Sequence, residues 1–299
     1  MTEFPMSEGE VAFEVPAAGK PCKTWYKIFG SIESTTGPIL IGLHGGPGAG
    51  HEYITPLADL YKLYHIPVLL YDQIGCGRST HLREKNGDAK FWSFELFISE
   101  LDNLIDQLGL RQRGFHLLGQ SWGGVFAASY AMPRYHGGNT PKGLRKLIIH
   151  GGPASIPLYE EGLKGLLAKL PPDVRKTLED CDRRGDHESE EFKKASDIFN
   201  SHYNCQLKPL PEEVLAIHKH IHEDPTVYVT IQGPAEFVII GSIKGWEGWK
   251  EANTIGAETL LINGKHDEVT NLSIYPWERY MQEVGDFVVS TTPDKRREI

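Results

Sequence analysis

The segment Gly119-Gln120-Ser121-Trp122-Gly123-Gly124 constrains this chain more than any other. Directly before it runs Gly114-Phe115-His116-Leu117-Leu118, a short apolar stretch with the composition of a buried strand; directly after it, 122–132 reads as a helix. A G-x-S-x-G run between strand and helix forces a tight turn. Small residues at 119 and 123 let neighbouring backbone pass, and the serine hydroxyl is left exposed. The Trp122 N–H falls at the helix N-terminus, where unpaired donors and the helix dipole favour an anion. Ser121 therefore reads as a nucleophile and Trp122 as a backbone oxyanion donor. The plain alternative is a glycine-rich helix start with an N-cap serine, and the strand-turn-helix context favours the chemical reading.

The flanking sequence predicts the same architecture. Pro38-Ile39-Leu40-Ile41-Gly42-Leu43, Ile66-Pro67-Val68-Leu69-Leu70-Tyr71 and Leu144-Arg145-Lys146-Leu147-Ile148-Ile149 are further short apolar strands, with Pro67 placed at a strand start. Residues 52–64 look helical. In 94–108, Phe97, Leu101, Leu104, Ile105 and Leu108 line one helix face, and Gly109 ends it. Strand and helix alternate, which predicts a mostly parallel, doubly wound α/β sheet with helices on both faces. Ahead of it, Val11–Val15 and Trp25–Phe29 read as an antiparallel hairpin at a sheet edge. From 154 to 240 the rhythm stops and the pattern turns polar and helical. Thr259-Leu260-Leu261-Ile262-Asn263-Gly264 then restores a strand. The expected division is a core over 1–153, an inserted helical cap over 154–240, and a second core part over 241–299.

A second oxyanion donor has an obvious source in His44-Gly45-Gly46-Pro47-Gly48, just after the first core strand, where glycines let backbone N–H groups face a cleft. The formal charge of −9 argues against nucleic acid as a partner. No apolar run reaches the ~18 residues of a membrane span, so no membrane association is expected. The start Met1-Thr2-Glu3-Phe4-Pro5 has no leader pattern. The 4 cysteines, Cys22, Cys76, Cys181 and Cys205, are sparse and lack a C-x-x-C pair. That fits a reducing, cytoplasmic setting. No metal or organic cofactor is expected.

Three segments together resemble the proline iminopeptidases, serine aminopeptidases of the α/β-hydrolase fold whose relatives include amino-acid amidases. They are the His44–Gly48 loop, Tyr71-Asp72-Gln73-Ile74-Gly75-Cys76-Gly77-Arg78-Ser79, and the Gly119–Gly124 turn. Gly233-Pro234-Ala235-Glu236-Phe237 is similar to a cap motif of that family, and Gly264-Lys265-His266-Asp267-Glu268-Val269-Thr270 to its acid loop. The resemblance runs from about residue 9 to 275. It implies Ser121 as nucleophile, Asp267 as the triad acid, and Gly46 and Trp122 as oxyanion donors. It also implies that Glu236 and Glu268 bind the free α-amine of a small peptide or amino-acid amide. Carboxylates in a partly dry pocket suit a cationic terminus.

One departure stands against this. In this fold the triad order is serine, acid, histidine, yet all 13 histidines lie at or before 266. Without its base a serine keeps only the ~10³–10⁴-fold help of oxyanion hole and binding. A shortened and nearly inactive hydrolase is therefore expected. His44 and His266 are the substitutes to weigh, His44 fitting better as a structural residue of its loop. An esterase or amidase for a small secondary metabolite, or a non-catalytic ligand-binding relative, stays open as an alternative. Three minor features have bland readings. His218, His220 and His222 suit a solvated helix, since no H-E-x-x-H pattern accompanies them. Cys76 suits a tight loop. Trp246 and Trp249 either line an entrance or pin the cap to the core.

Overall fold

The structure, a computed structural model, describes residues 4–33, 35–264 and 277–290. Its strands are β1 (Met6–Phe13), β2 (Cys22–Phe29), β3 (Ile39–Leu43), β4 (Val68–Tyr71), β5 (Phe115–Gln120), β6 (Leu144–His150) and β7 (Glu258–Ile262). Among the described residues they form one seven-stranded sheet in the order β1-β2-β4-β3-β5-β6-β7. The first two pairings, β1 with β2 and β2 with β4, are antiparallel; all others are parallel. The helices are α1 (Asp59–Tyr64), α2 (Phe94–Gln107), α3 (Leu110–Arg113), α4 (Trp122–Ala131), α5 (Ile156–Leu167), α6 (Pro172–Arg184), α7 (Glu190–Tyr203), α8 (Glu212–Glu223), α9 (Thr226–Ile231) and α10 (Trp277–Val289).

The central strands are apolar throughout because both their faces are covered. Leu40, Val68, Leu70, Leu118 and Ile148 face α1 and α10, where they meet Leu60, Met281 and Val284. Their neighbours Ile39, Ile41, Leu69, Leu117 and Leu147 face α2 and α4, where they meet Phe97, Leu101, Val125 and Phe126. Each such side chain removed from water contributes roughly 1.5–3 kcal/mol. An ionisable group sits inside this core. Glu100, on α2, is 0% exposed; it accepts the Thr24 hydroxyl at 2.6 Å and the Ile74 N–H at 2.9 Å. Burial pushes its carboxyl up to about 8.

Two expectations need correction. β1 starts at Met6, not Val11, pairing Met6 with Phe29 and Phe13 with Cys22. Its polar first half, Ser7-Glu8-Gly9-Glu10, lies on the sheet edge, where ladder pairing with β2 substitutes for a buried face. The helix expected over 52–64 is broken: Glu52–Ala58 is a 3₁₀ helix and only Asp59–Tyr64 is α-helical. Pro56, without an N–H, sits inside the 3₁₀ portion.

The chain leaves β3 first toward β4 and later returns on its other side as β5, so β3 and β5 flank a topological switch point. The crevice beyond the carboxyl ends of strands at such a point is where open α/β sheets bind ligands. His44 follows β3 there, and Ser121 follows β5. Between β6 and β7 the chain builds α5 to α9. Ser155 and Ser189 cap α5 and α7 by accepting the N–H groups of Leu158 and Phe192. Phe192 and Phe199 of α7 pack on Phe237, with ring centroids 6.0 and 4.8 Å away. Helix α8 buries none of its residues. It is tied to the core by His220 Nε2 to Glu52 at 2.9 Å, and just past its end by Asp224 to His81 Nδ1 at 2.5 Å.

Candidate active site

Ser121 has φ 55° and ψ −121°, and among the described residues only it and His65 are non-glycine residues with positive φ. This backbone turns the chain from β5 straight into α4. The motif glycines are explained by contact: a Cβ on Gly119 would overlap the Gly123 carbonyl, and one on Gly123 would overlap the Leu43 carbonyl. Helix α4 thus lies against the end of β3 at backbone distance. The Ser121 N–H donates to the His150 carbonyl at 2.9 Å, anchoring the turn to β6. Trp122 is the first residue of α4, so its N–H has no partner within the helix.

Gly46 lies across the crevice with φ 105°. Its loop is fixed by His44, which is 0% exposed. His44 Nε2 accepts the Gln73 N–H at 3.1 Å, so Nδ1 carries the proton and donates to the Gly45 carbonyl at 3.0 Å. Burial lowers the ring's proton affinity. With both nitrogens engaged, His44 is a structural member of the loop and is not free to serve Ser121 as a base.

A single pocket gathers the expected groups. It is lined by Gly46, Ser121 and Trp122 from the core loops, and by Tyr159, Gln232 and Glu236 from the α5–α9 side. Val125, Pro153, Ile156 and Ile243 supply apolar wall. The Glu236 carboxylate accepts the Tyr159 hydroxyl at 2.8 Å and the Tyr228 hydroxyl at 3.3 Å, while Gln232 Nε2 holds its carbonyl at 3.0 Å. Four of the six expected site residues, Gly46, Ser121, Trp122 and Glu236, therefore share one cavity. Asp267, Glu268 and the substitute base His266 lie outside the described residues. Tyr159, Tyr228 and Gln232 were not singled out from the sequence. The one signal for the last two was their nearness to the Gly233–Phe237 motif.

The minor features resolve as follows. Trp246 packs 6.3 Å from Phe94 and against the main core, so it joins the stretch before β7 to α2; Trp249 is exposed. Cys76 is buried, its thiol donating to the Gln73 carbonyl at 3.1 Å, and burial pushes its pKa well up. Of the three histidines on α8, His220 is the one paired to Glu52. His51, Glu52 and Asp72 bring donor atoms of the metal-binding kind within 4.8 Å of one another. Asp72 is heavily engaged there: Oδ1 accepts the His51 N–H at 2.9 Å and ring Nδ1 at 2.8 Å, and Oδ2 accepts the Arg78 N–H at 2.8 Å. Burial alone would raise its pKa; the His51 contact and the backbone donors outweigh that and hold it low.

A serine on a strained strand-to-helix turn, at the carboxyl edge of a mostly parallel sheet and facing a glycine loop, is the arrangement of the α/β hydrolases. A family model for the alpha/beta hydrolase fold matches residues 38–278. The proline iminopeptidase of Saccharolobus solfataricus is 36% identical over 245 residues, covering 82% of this chain and 73% of that protein. That of Heyndrickxia coagulans is 33% identical over 238 residues, covering 80% and 77%. Among solved structures, VinJ superimposes with a TM-score of 0.85 at 34% identity, covering 94% of this chain and 98% of its own. The proline iminopeptidase of Mycobacterium smegmatis gives 0.77 at 30%, covering 89% and 94%. The chain belongs to the proline iminopeptidase family and is a hydrolase of the α/β fold. No helix among the described residues is long and apolar enough to cross a membrane.

Proposed function

We propose that this protein releases an N-terminal residue, preferably proline, from peptides or small amides through an acyl-enzyme on Ser121. The observation that carries the reading is the shared pocket of Ser121, Gly46, Trp122 and Glu236. Ser121 Oγ attacks the scissile carbonyl carbon, and its proton passes to water, because both ring nitrogens of His44 are engaged in its loop. The carbonyl oxygen, now an oxyanion, accepts N–H groups of Gly46 and Trp122. The tetrahedral species collapses to the acyl-serine as the leaving amine takes a proton. Water then repeats the sequence and frees the amino acid. Asp267, in the segment after β7, is the acid partner in this scheme.

Glu236 sets which bond is cut. An α-ammonium held on its carboxylate places the first peptide bond over Ser121. The paired tyrosine hydroxyls fix that carboxylate. The wall of Val125, Pro153, Ile156 and Ile243 suits a small apolar ring. Glu268 completes the amine site in this reading, and residues 154–240 act as the cap that brings Glu236 over the sheet.

The test is covalent labelling by a fluorophosphonate together with turnover of a prolyl-arylamide. Labelling should map to Ser121 and vanish in Ser121→Ala. Free-amine substrates should outcompete N-acylated analogues. Label persisting in Ser121→Ala, or equal use of both substrate types, would overturn the assignment.

A further inference from the structure

The two oxyanion segments come from different strands, and their relative position is set by side chains lying behind the site. Gln73, 1% exposed and just past β4, touches both. Its Nε2 donates to the His44 carbonyl at 2.9 Å, and its Oε1 accepts the Trp122 indole N–H at 2.9 Å. The amide fits in one orientation alone, because an indole N–H donates and a carbonyl accepts. The Gln73 backbone N–H donates to His44 Nε2, which commits His44 Nδ1–H to the Gly45 carbonyl. That carbonyl belongs to the same peptide plane as the Gly46 N–H. Rotating the plane to misdirect the Gly46 donor would break the bond from His44. The connection therefore runs unbroken from the Trp122 ring through Gln73 and His44 to the Gly45–Gly46 peptide.

A second strut crosses nearby. The Tyr53 hydroxyl accepts the Gly45 N–H at 2.5 Å and donates to Gln120 Oε1 at 2.6 Å. It joins the residue before Gly46 to the residue before Ser121. A Cβ on Gly45 would come within 2.8 Å of Gln120 Oε1 and 3.0 Å of the Tyr53 hydroxyl, so the two loops approach closely here because position 45 is glycine.

We infer that Gln73, acting through His44, and Tyr53 are positioning residues that lock the two halves of the oxyanion site together. This rests on the proposed donor roles of Gly46 and Trp122. Neither side chain is placed on the reacting atoms; each ties the segment carrying the Gly46 N–H to the segment carrying the Trp122 N–H. Removing an oxyanion donor outright costs about 10²–10³ in rate, and a loosened donor costs less, about 10-fold or more.

The test uses Gln73→Met and Tyr53→Phe, which keep volume; the first removes the side-chain bridge from the His44 carbonyl to the Trp122 indole while keeping the backbone bond to His44 Nε2, and the second removes the bridge from Gly45 to Gln120. The rate of fluorophosphonate labelling at Ser121 should fall about 10-fold or more, because phosphonylation builds negative charge in the oxyanion site. Affinity for free proline, which is held by Glu236, should stay unchanged. Backbone hydrogen exchange should speed up together in the segments 43–49 and 119–124. Unchanged labelling, or labelling and proline binding falling in parallel, would overturn the inference. So would faster exchange confined to the substituted segment. If Ser121→Ala still takes the label, the nucleophile reading fails, and the exchange result alone decides whether the two segments are coupled.

Discussion

The centre of the sheet and the α5–α9 stretch are built on different terms. In the centre, β3 and β4 are buried along their whole length, and every residue of α4 is buried. Along the helical stretch, α6 buries three side chains and α8 none, and α8 is tied to the core by discrete polar pairs. Area holds the first region and point contacts locate the second. The site joins the two: Ser121 and Gly46 belong to the region fixed by area, Glu236 to the region fixed by links. Volume changes should therefore register most in the centre, and proton concentration should act on particular links.

The largest effect that sharpens this contrast is a cavity. Phe126 is 0% exposed under the elbow, with Phe97 at 6.0 Å and Trp122 at 6.3 Å. Phe126→Ala should cost about 3–5 kcal/mol in denaturant unfolding. On α8, Leu215→Ala should stay within about 0.5 kcal/mol, since Leu215 is 50% exposed. Equal losses would break the comparison.

Glu100 puts a proton dependence inside the region held by area. Its folded pKa, about 8, lies above the ordinary 4.5. Stability it contributes is complete below about 4.5 and is lost as pH rises through about 8. Each unit between those values is worth about 1.4 kcal/mol. Thermal melts should fall across that window in the parent and run flatter in Glu100→Gln; parallel curves would remove Glu100 as the cause.

Glu236 tests the junction. Replacing it with Gln removes a charge-assisted contact worth about 1.5–3 kcal/mol, so KM for a free-amine substrate should rise about 10- to 100-fold. An N-acylated substrate should be little affected. Equal rises would make Glu236 structural.

The smallest effect is the α8 link. The bond to Glu52 raises the His220 pKa above 6.5, so that contribution is present below 6.5 and lost as pH climbs through the folded value. Burial alone would raise Glu52; His220 and His51 outweigh it and lower it from 4.5, so its contribution is lost as pH falls through that lowered value. The pair is strongest between about 4.5 and 6.5 and is worth roughly 0.2–1 kcal/mol. Limited proteolysis within 204–224 should be slower at pH 5.5 than at pH 8, and His220→Gln should abolish the difference. Proteolysis that ignores pH would detach this link from the placement of α8.

Much of this is legible in the sequence. β3 to β6 stand out because strands covered on both faces are apolar without interruption, and Ser121 because its glycines fall at fixed spacing around it between a strand and a helix. The polar half of β1 was invisible, since an edge strand is held by backbone pairing that leaves no side-chain pattern. The supports of the site were also invisible. Tyr53 with Gln120, Gln73 with Trp122 and Tyr159 with Glu236 are partners far apart in sequence, and no local periodicity marks them. Glu236 itself came from resemblance; a lone glutamate in a polar stretch carries no signal of its own.

The backbone angle at Ser121 has a final consequence. A non-glycine residue held in so sparse a region costs about 1–3 kcal/mol, and glycine at 121 would be relieved of most of it. Selection acting on foldability alone would push this position toward glycine, away from any side-chain chemistry. Ser121→Gly should then melt higher than Ser121→Ala, even though both lack the hydroxyl. The serine occupies the one place on the turn where what is good for the fold and what is useful in the pocket pull in opposite directions.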